Sequence, residues 1–385
     1  MMHLDIHPSR FAATAAMLLL VACSPAGPSE PTPDPSLPDD DDSSGLDDDD
    51  ATDDDDSSGV DDDDATDDDD ATDDDDATDD DDAEAPDPVR FVAFGDQGTG
   101  SPDQAAVADV VETVCAAQGC DFVLLLGDNH YDIGVEDVND DQWQTQFEIP
   151  YADIDLPFYP ALGNHDGGDD FLGGSGINVS QGDNQIDYTA FSTKWTMPGR
   201  WYTHTHSNAD FIALDTSSVF FDGLYIPWVT DDFPTIVNAQ EAFVGDFLAT
   251  TASEWKIAYG HHPYLSNGPH GNAGSYEGFP GVTWVDGGKI KTFMDDHVCG
   301  KVDLYLSGHD HSRQWLSETC QGTVLMVSGA GAKNTDFEGE NVTYWQEDQT
   351  PGFVWIEIVG DVATVEWWDM NGSLNYSDLL AKPLP

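Results

Sequence analysis

The decapeptide Phe122-Val123-Leu124-Leu125-Leu126-Gly127-Asp128-Asn129-His130-Tyr131 decides the fold. An unbroken apolar run stops at a glycine, and four polar side chains suited to binding metal or moving protons follow at once. An apolar run with its polar cluster at the C-terminal end is how an α/β sheet presents a site at its carboxyl edge. The same arrangement recurs along the chain. GDQG at Gly95 to Gly98 follows Phe91 to Phe94, and GNHD at Gly163 to Asp166 follows Phe158 to Leu162. GHHP at Gly260 to Pro263 follows Trp255 to Tyr259, and GHDH at Gly308 to His311 follows Val302 to Leu306. A lone GDxG or GHxH is an ordinary turn after a strand. GNHD is less ordinary, because it sets a neutral amide beside an imidazole. Five such ends in one chain, all bearing Asp, Asn, His or Tyr, point to a single two-metal hydrolytic centre.

Between the motifs, the pattern predicts strand 90–95, helix 102–117, strand 121–127, a helix near 140–148 and strand 157–162. Residues 167–200 are polar and glycine-rich and read as an insert. Strand 210–215, a helix near 237–251 and strand 255–260 follow. A Gly/Pro-rich loop spans 264–287, then come a helix near 288–297 and strand 302–307. Short strands are clearest at 323–328, 352–359 and 361–368. Early alternation and late antiparallel strands predict an α/β fold, a mixed two-sheet sandwich flanked by helices in four α-β-β-α layers.

The first 87 residues are of another kind. They hold 33 of the 77 acidic residues and one of the 11 basic ones, Arg10. The remainder, with 44 acidic and 10 basic residues, is long enough at roughly 300 residues to bury its own core. Arg10 precedes an apolar stretch from Phe11 to Ala22, too short to span a bilayer and typical of an export signal. Its end, Leu20-Val21-Ala22-Cys23, resembles a bacterial lipobox. Residues 1–23 are therefore expected to be a lipoprotein signal. Two acyl chains on Cys23 would anchor the protein at a membrane, and Ser24 favours the bacterial outer membrane or cell surface. The alternative is an ordinary cleaved signal with an incidental cysteine. Residues 24–88 are rich in Pro, Ser, Thr and Asp, and from Asp39 to Asp82 they repeat DDDDAT or DDDDSSG. Such dense like charge with almost no apolar residues predicts a disordered stalk, with a contour on the order of 200 Å. It lacks the glycine and spaced ligands of an EF-hand loop, so weak binding of divalent cations is the expectation. Residues 89–385 are the expected catalytic domain.

Cys115, Cys120, Cys299 and Cys320 are an even set in an exported domain. Pairing Cys115 with Cys120 would clamp a helix end to the next strand, and pairing Cys299 with Cys320 would staple the region around GHDH. The scarcity of Lys and Arg excludes charge-driven nucleic-acid binding.

The order GDQG, GDNHY, GNHD, GHHP, GHDH resembles the calcineurin-like metallophosphoesterases. Tyr131 narrows the likeness to the purple acid phosphatases. The stretch GDNHYDIGVEDVND and SGAG at Ser328 to Gly331 are most similar to the small tartrate-resistant type. The resemblance implies that Asp96, Asp128, Tyr131 and His311 hold Fe(III). It implies that Asp128 bridges to a second, divalent ion, Fe, Zn or Mn, held also by Asn164, His261 and His309. Donor chemistry agrees: carboxylate and phenolate are hard anions, while imidazoles and an amide suit a divalent ion. The implied activity is acid phosphatase action on a phosphorylated small molecule, with attack by a metal-activated hydroxide. His165 would donate a proton to the leaving group, Asp166 would orient it, and His270 would help bind phosphate. The alternative for His270 is a solvated loop histidine. His262 is not read as a ligand, and His204, His206 and His297 are read as surface or packing residues. His130, inside GDNHY, could line the pocket. A phosphodiesterase, nucleotidase or phytase on the same centre, or a non-catalytic surface binding protein, are the alternatives. The loops 167–200 and 264–287 would separate the enzymatic ones.

Overall fold

The computed structural model describes residues 87–168, 178–223, 232–276 and 286–382. The expected signal, Cys23 and the Asp-rich stalk lie outside the described residues, as do parts of both substrate-facing loops. In chain order the elements are β1 (Val89–Phe94), α1 (Pro102–Gln118), β2 (Phe122–Leu125), β3 (Phe158–Pro160) and α2 (Asp183–Tyr188). Next come β4 (Tyr202–His206), β5 (Ala209–Ala213), α3 (Thr216–Phe220), α4 (Phe233–Thr250), β6 (Trp255–Tyr259) and α5 (Gly288–His297). The chain then forms β7 (Leu304–Ser307), β8 (Arg313–Leu316), β9 (Val324–Ser328), β10 (Thr343–Glu347), β11 (Gly352–Val359), β12 (Val362–Asp369) and β13 (Leu374–Ala381).

Two mixed sheets result, as expected. One has the order β13-β12-β11-β1-β2-β3 and the other β10-β8-β9-β7-β6-β5-β4. Strands β1, β2 and β3 run parallel, as do β5, β6, β7 and β9. Their unbroken apolar runs follow from burial on both faces. In β5, Phe211 and Ala213 join one core cluster while Ile212, with Leu214 just past the strand, joins another. Strand β6 divides in the same way, Ile257 and Tyr259 against Ala258, and β7 places Leu304 and Leu306 opposite Tyr305. The first cluster lies between the sheets, where Phe91 of β1 meets Phe211 of β5 edge to face at 5.3 Å. The second is closed by Val237, Val244 and Phe247 of α4 and Ile290, Phe293 and Met294 of α5.

Local signals set the helix ends. Ser101 caps α1 by accepting the Gln104 N–H, with Pro102 in the first turn, and Gly119 (φ 87°) ends the helix. Asp232 caps α4 in the same way, so that helix begins earlier than its apolar periodicity suggests. The helix expected near 140–148 is a short π-helical turn, Gln144–Glu148. The insert expected at 167–200 contains α2, whose Tyr188 stacks on Trp143 at 3.5 Å. Both expected disulfides, Cys115–Cys120 and Cys299–Cys320, are formed. Just past GHDH, buried Arg313 binds Glu347 at 2.5 Å and the Trp368 carbonyl at 2.8 Å. It thereby ties β8 to strands of both sheets.

Candidate metal centre

Each sheet contributes half of the site. The carboxyl ends of β1, β2 and β3 carry Asp96, Asp128, Tyr131 and Asn164, and those of β6 and β7 carry His261, His309 and His311. The ends interlock through their backbones. Gly95 N–H donates to the Ser328 carbonyl at 2.8 Å, Tyr131 N–H to Gly98 at 2.8 Å, and Gly308 N–H to His261 at 3.0 Å. Asp96, Asp128 and His309 each follow the glycine of their motif and each has positive φ, at 60°, 54° and 71°. A non-glycine residue there costs on the order of 1–3 kcal/mol and is a mark of functional sites. Gly127 must be glycine, because its φ is 92° and a Cβ would lie 2.6 Å from His261 Nδ1.

The predicted donors fall into two groups around one oxygen. The Tyr131 hydroxyl lies 2.8 Å from Asp128 Oδ2, 3.0 Å from Asp96 Oδ1 and 3.3 Å from His311 Nε2. His261 Nε2 lies 3.4 Å from that same Asp128 Oδ2, 2.9 Å from Asn164 Oδ1 and 3.1 Å from His309 Nδ1. His261 Nδ1 is 2.9 Å from the Leu126 carbonyl. Donation there would leave Nε2 with its lone pair toward the cluster. Ligand atoms of Asp96, Asp128 and His261 all lie within 4.8 Å of one another. A second cluster of this kind, Asp295 with Cys299 and Cys320, is spent on a disulfide.

The electrostatics fit a cation. Burial opposes charge on Asp128, yet His261 and His165 hold its carboxyl well below the usual range. Burial, with Asp128 and Asp96 nearby, pushes the Tyr131 phenol well above its ordinary value. Burial opposes protonation of His261, but the two carboxylates raise it to about 9. The fold thus holds protons on Tyr131 and His261 that a metal would displace. Two carboxylates, a phenol, an amide and three imidazoles converging in a buried space are a donor set suited to one hard and one borderline ion.

His165 is at the rim, with its backbone N–H on Asp128 Oδ1 at 2.8 Å. Its ring Nδ1 lies 2.6 Å from the Asp132 carbonyl and its Nε2 4.0 Å from Asp128 Oδ2. Asp166 is buried and engaged elsewhere. Its carboxylate accepts the N–H groups of Gly163 (2.7 Å), Asn129 (2.9 Å) and His130 (3.1 Å) and the Gln185 amide (2.7 Å). Burial, with Asp128 beside it, raises its carboxyl to about 7 against the pull of these donors. The expected Asp166–His165 orientation is replaced by a clamp between GDNHY and GNHD. His270 stacks on His309 with ring centroids 4.0 Å apart, so the structure brings it to the cluster.

The remaining histidines pack. His130 is buried behind the site, 4.5 Å from the Trp143 ring centroid. His262 has Nδ1 2.9 Å from Thr216 Oγ1 and stacks on Phe220. His204 stacks on Tyr159 at 3.9 Å, and His206 lies against Phe122 at 4.1 Å. Sequence reasoning passed over two residues. Asp310 reads as part of a metal motif but turns away to hold the His270 loop. Lys333 lies over the Tyr131 ring, and its signal was an isolated cation just after SGAG.

Residues 89–313 match the family model for calcineurin-like phosphoesterases. Tartrate-resistant acid phosphatase type 5 of Homo sapiens is 29% identical, over 74% of this chain and 88% of its own length. The protein of that name from Sus scrofa is 30% identical, over 64% of this chain and 71% of its own. Among solved structures, GAP50, the anchor in the inner membrane complex of Plasmodium, has a TM-score of 0.60 at 20% identity, covering 77% of this chain and 90% of its own. That likeness speaks to the fold alone. Taken with the site geometry, these comparisons identify the family: the chain belongs to the calcineurin-like phosphoesterases, with tartrate-resistant and purple acid phosphatases as its curated relatives.

Proposed function

We propose that this domain is an acid phosphatase that hydrolyses phosphate monoesters of small molecules at a dinuclear metal centre. One observation carries the reading: Asp128 Oδ2 belongs to both donor groups, 2.8 Å from the Tyr131 hydroxyl and 3.4 Å from His261 Nε2. Asp96, Asp128, Tyr131 and His311 would hold Fe(III). Asn164, His261 and His309, with Asp128 shared, would hold Fe, Zn or Mn in the divalent state. When bound, such a pair supplies Lewis acidity, making water a nucleophile near neutral pH and neutralising charge on the phosphoryl group.

The chain's own residues do the rest. His165, with Nδ1 directed at the Asp132 carbonyl, presents Nε2 to the cluster and can pass a proton to the leaving alkoxide. His270, stacked on His309, flanks the position of an incoming phosphate. The low dielectric around buried Asp96, Asp128 and His261 strengthens each of these interactions. Purified protein loaded with iron and a divalent metal is expected to hydrolyse an aryl phosphate, fastest at mildly acidic pH. Asn164→Ala and His261→Ala should each lose several orders of magnitude in turnover. Near-normal turnover in either variant would exclude the assignment.

The reading extends to the setting of the domain. Export with a lipid anchor on Cys23, at the bacterial outer membrane or cell surface, is supported by the lipobox-like Leu20 to Cys23 and by the two disulfides. The stalk at 24–88 would tether the domain and bind divalent cations weakly. Fractionation of cells expressing Cys23→Ser tests this: the variant should leave the membrane fraction, and an unchanged distribution rejects the anchor.

A further inference from the structure

Lys333 is one of ten lysines and arginines beyond residue 87, and the fold fixes the segment that carries it. Gly329 N–H donates to the Ser312 carbonyl at 3.0 Å, Gly331 N–H to Gly95 at 2.9 Å, and Thr335 N–H to His311 at 2.9 Å. The Ala330 carbonyl accepts the Gly352 N–H at 2.8 Å. A Cβ on Gly329 would lie 2.3 Å from the Asp310 carbonyl oxygen and 2.9 Å from Asp96 Oδ2. The backbone therefore passes directly over the GDQG and GHDH ends before Lys333 departs from it.

The Lys333 Nζ lies 3.2 Å from the centroid of the Tyr131 ring. The hydroxyl of that ring touches Asp96 and Asp128, and His165 lies against the same ring with centroids 4.5 Å apart. The ammonium thus stands at the rim of the donor cluster, half-buried rather than enclosed. Among the described residues, it is the only lysine or arginine stacked on a ring of that cluster.

We propose that Lys333 is a substrate-binding residue, its ammonium receiving a phosphoryl oxygen of the phosphate monoester at the Tyr131 side of the centre. The inference rests on the phosphatase reading above. An acidic domain repels an anionic substrate at a distance, so attraction has to be local. An ammonium is a compact point charge with three donors, well matched to a phosphoryl group. Its four-carbon stem can move the charge from the aromatic face to an arriving anion while the pinned backbone keeps the reach constant.

The test is calorimetric titration of the metal-loaded full chain with inorganic phosphate, with metal content measured on the same samples. Lys333→Met should weaken phosphate binding about tenfold, the order expected for one charge-assisted hydrogen bond. Lys333→Arg should stay within about threefold of wild type, and both variants should keep the wild-type metal content. Lys301→Met removes the same charge from the turn after α5 and should leave phosphate binding unchanged. Wild-type affinity in Lys333→Met overturns the inference. Weaker binding accompanied by metal loss also overturns it, because Lys333 would then only support Tyr131. Wild-type protein that holds two metals but no phosphate overturns the inference alone. Wild-type protein that holds no metal overturns the phosphatase reading as well.

Discussion

The Asp310 carboxylate accepts the backbone N–H of His270 at 2.9 Å. It also accepts the Gly271 N–H at 3.3 Å, and the His270 ring is thereby seated on His309. Asp310 is a positioning residue, although it lies between two predicted ligands. Asp310→Ala leaves these amides without their acceptor, and turnover should fall roughly tenfold to a hundredfold as His270 loses its place. Asp310→Asn keeps an oxygen acceptor and should lose less than about tenfold. Steady-state kinetics on both variants decide the point, and equal losses would contradict it.

Asp166 plays the matching part for GDNHY. Its partners among Gly163, Asn129, His130 and Gln185 are all N–H donors, so an amide cannot replace it without turning a donor on donors. Asp166→Asn should lower stability by about 3 kcal/mol and weaken metal retention, because Asp128 and Tyr131 flank the clamped amides. Urea denaturation of the metal-free variant measures this. A loss below about 1 kcal/mol would mean that the clamp carries little.

Acid should destabilise the fold through His204. Burial among Tyr159, Phe211 and Phe122, with His206 alongside, holds its imidazole well below the ordinary value. The unfolded chain then binds a proton that the folded chain refuses. The contribution is fully present above about pH 6.5 and is lost as the pH falls below it. Denaturation midpoints taken from pH 7 to pH 4 should fall less steeply in His204→Phe than in wild type. Parallel slopes would show that His204 does not titrate in the unfolding step.

Metal uptake should release protons. His261 is held up to about 9 and Tyr131 well above its ordinary value in the metal-free fold, so at pH 8 both carry protons that ligation expels. Apparent metal affinity should therefore drop as the pH is lowered. Tyr131→Phe should release one proton fewer per chain. It should also lack the visible absorption that a phenolate gives by charge transfer to Fe(III). Calorimetry in buffers of different ionisation enthalpy counts the protons, and an unchanged count in Tyr131→Phe would remove the phenolate from the ligand set.

The strand ends were the legible part of this chain. β1, β2, β6 and β7 lie where their apolar runs place them, and each motif glycine begins the turn into the site. A strand buried on both faces announces itself by composition, whereas an edge strand does not. β4 reads Tyr-Thr-His-Thr-His, and β13 carries exposed Leu374 and Leu379. Both are edges that the sequence pattern left out. The antiparallel return of β11 beside β1 is a long-range pairing that local pattern does not encode. The same limit applies to Asp166 and Asp310. Their motifs identify carboxylates at a metal site, but only the fold shows that both face backbone amides instead.

If one oxygen of Asp128 serves both halves of the centre, as its distances to Tyr131 and His261 indicate, the number of metal ions per chain depends on it. Elemental analysis of wild type and Asp128→Ala, prepared side by side under the same metal loading, should give about two metal ions per chain for wild type and fewer than one for the variant. Two ions retained in Asp128→Ala, or a single ion in fully loaded wild type, would show that Asp128 does not join two metal sites.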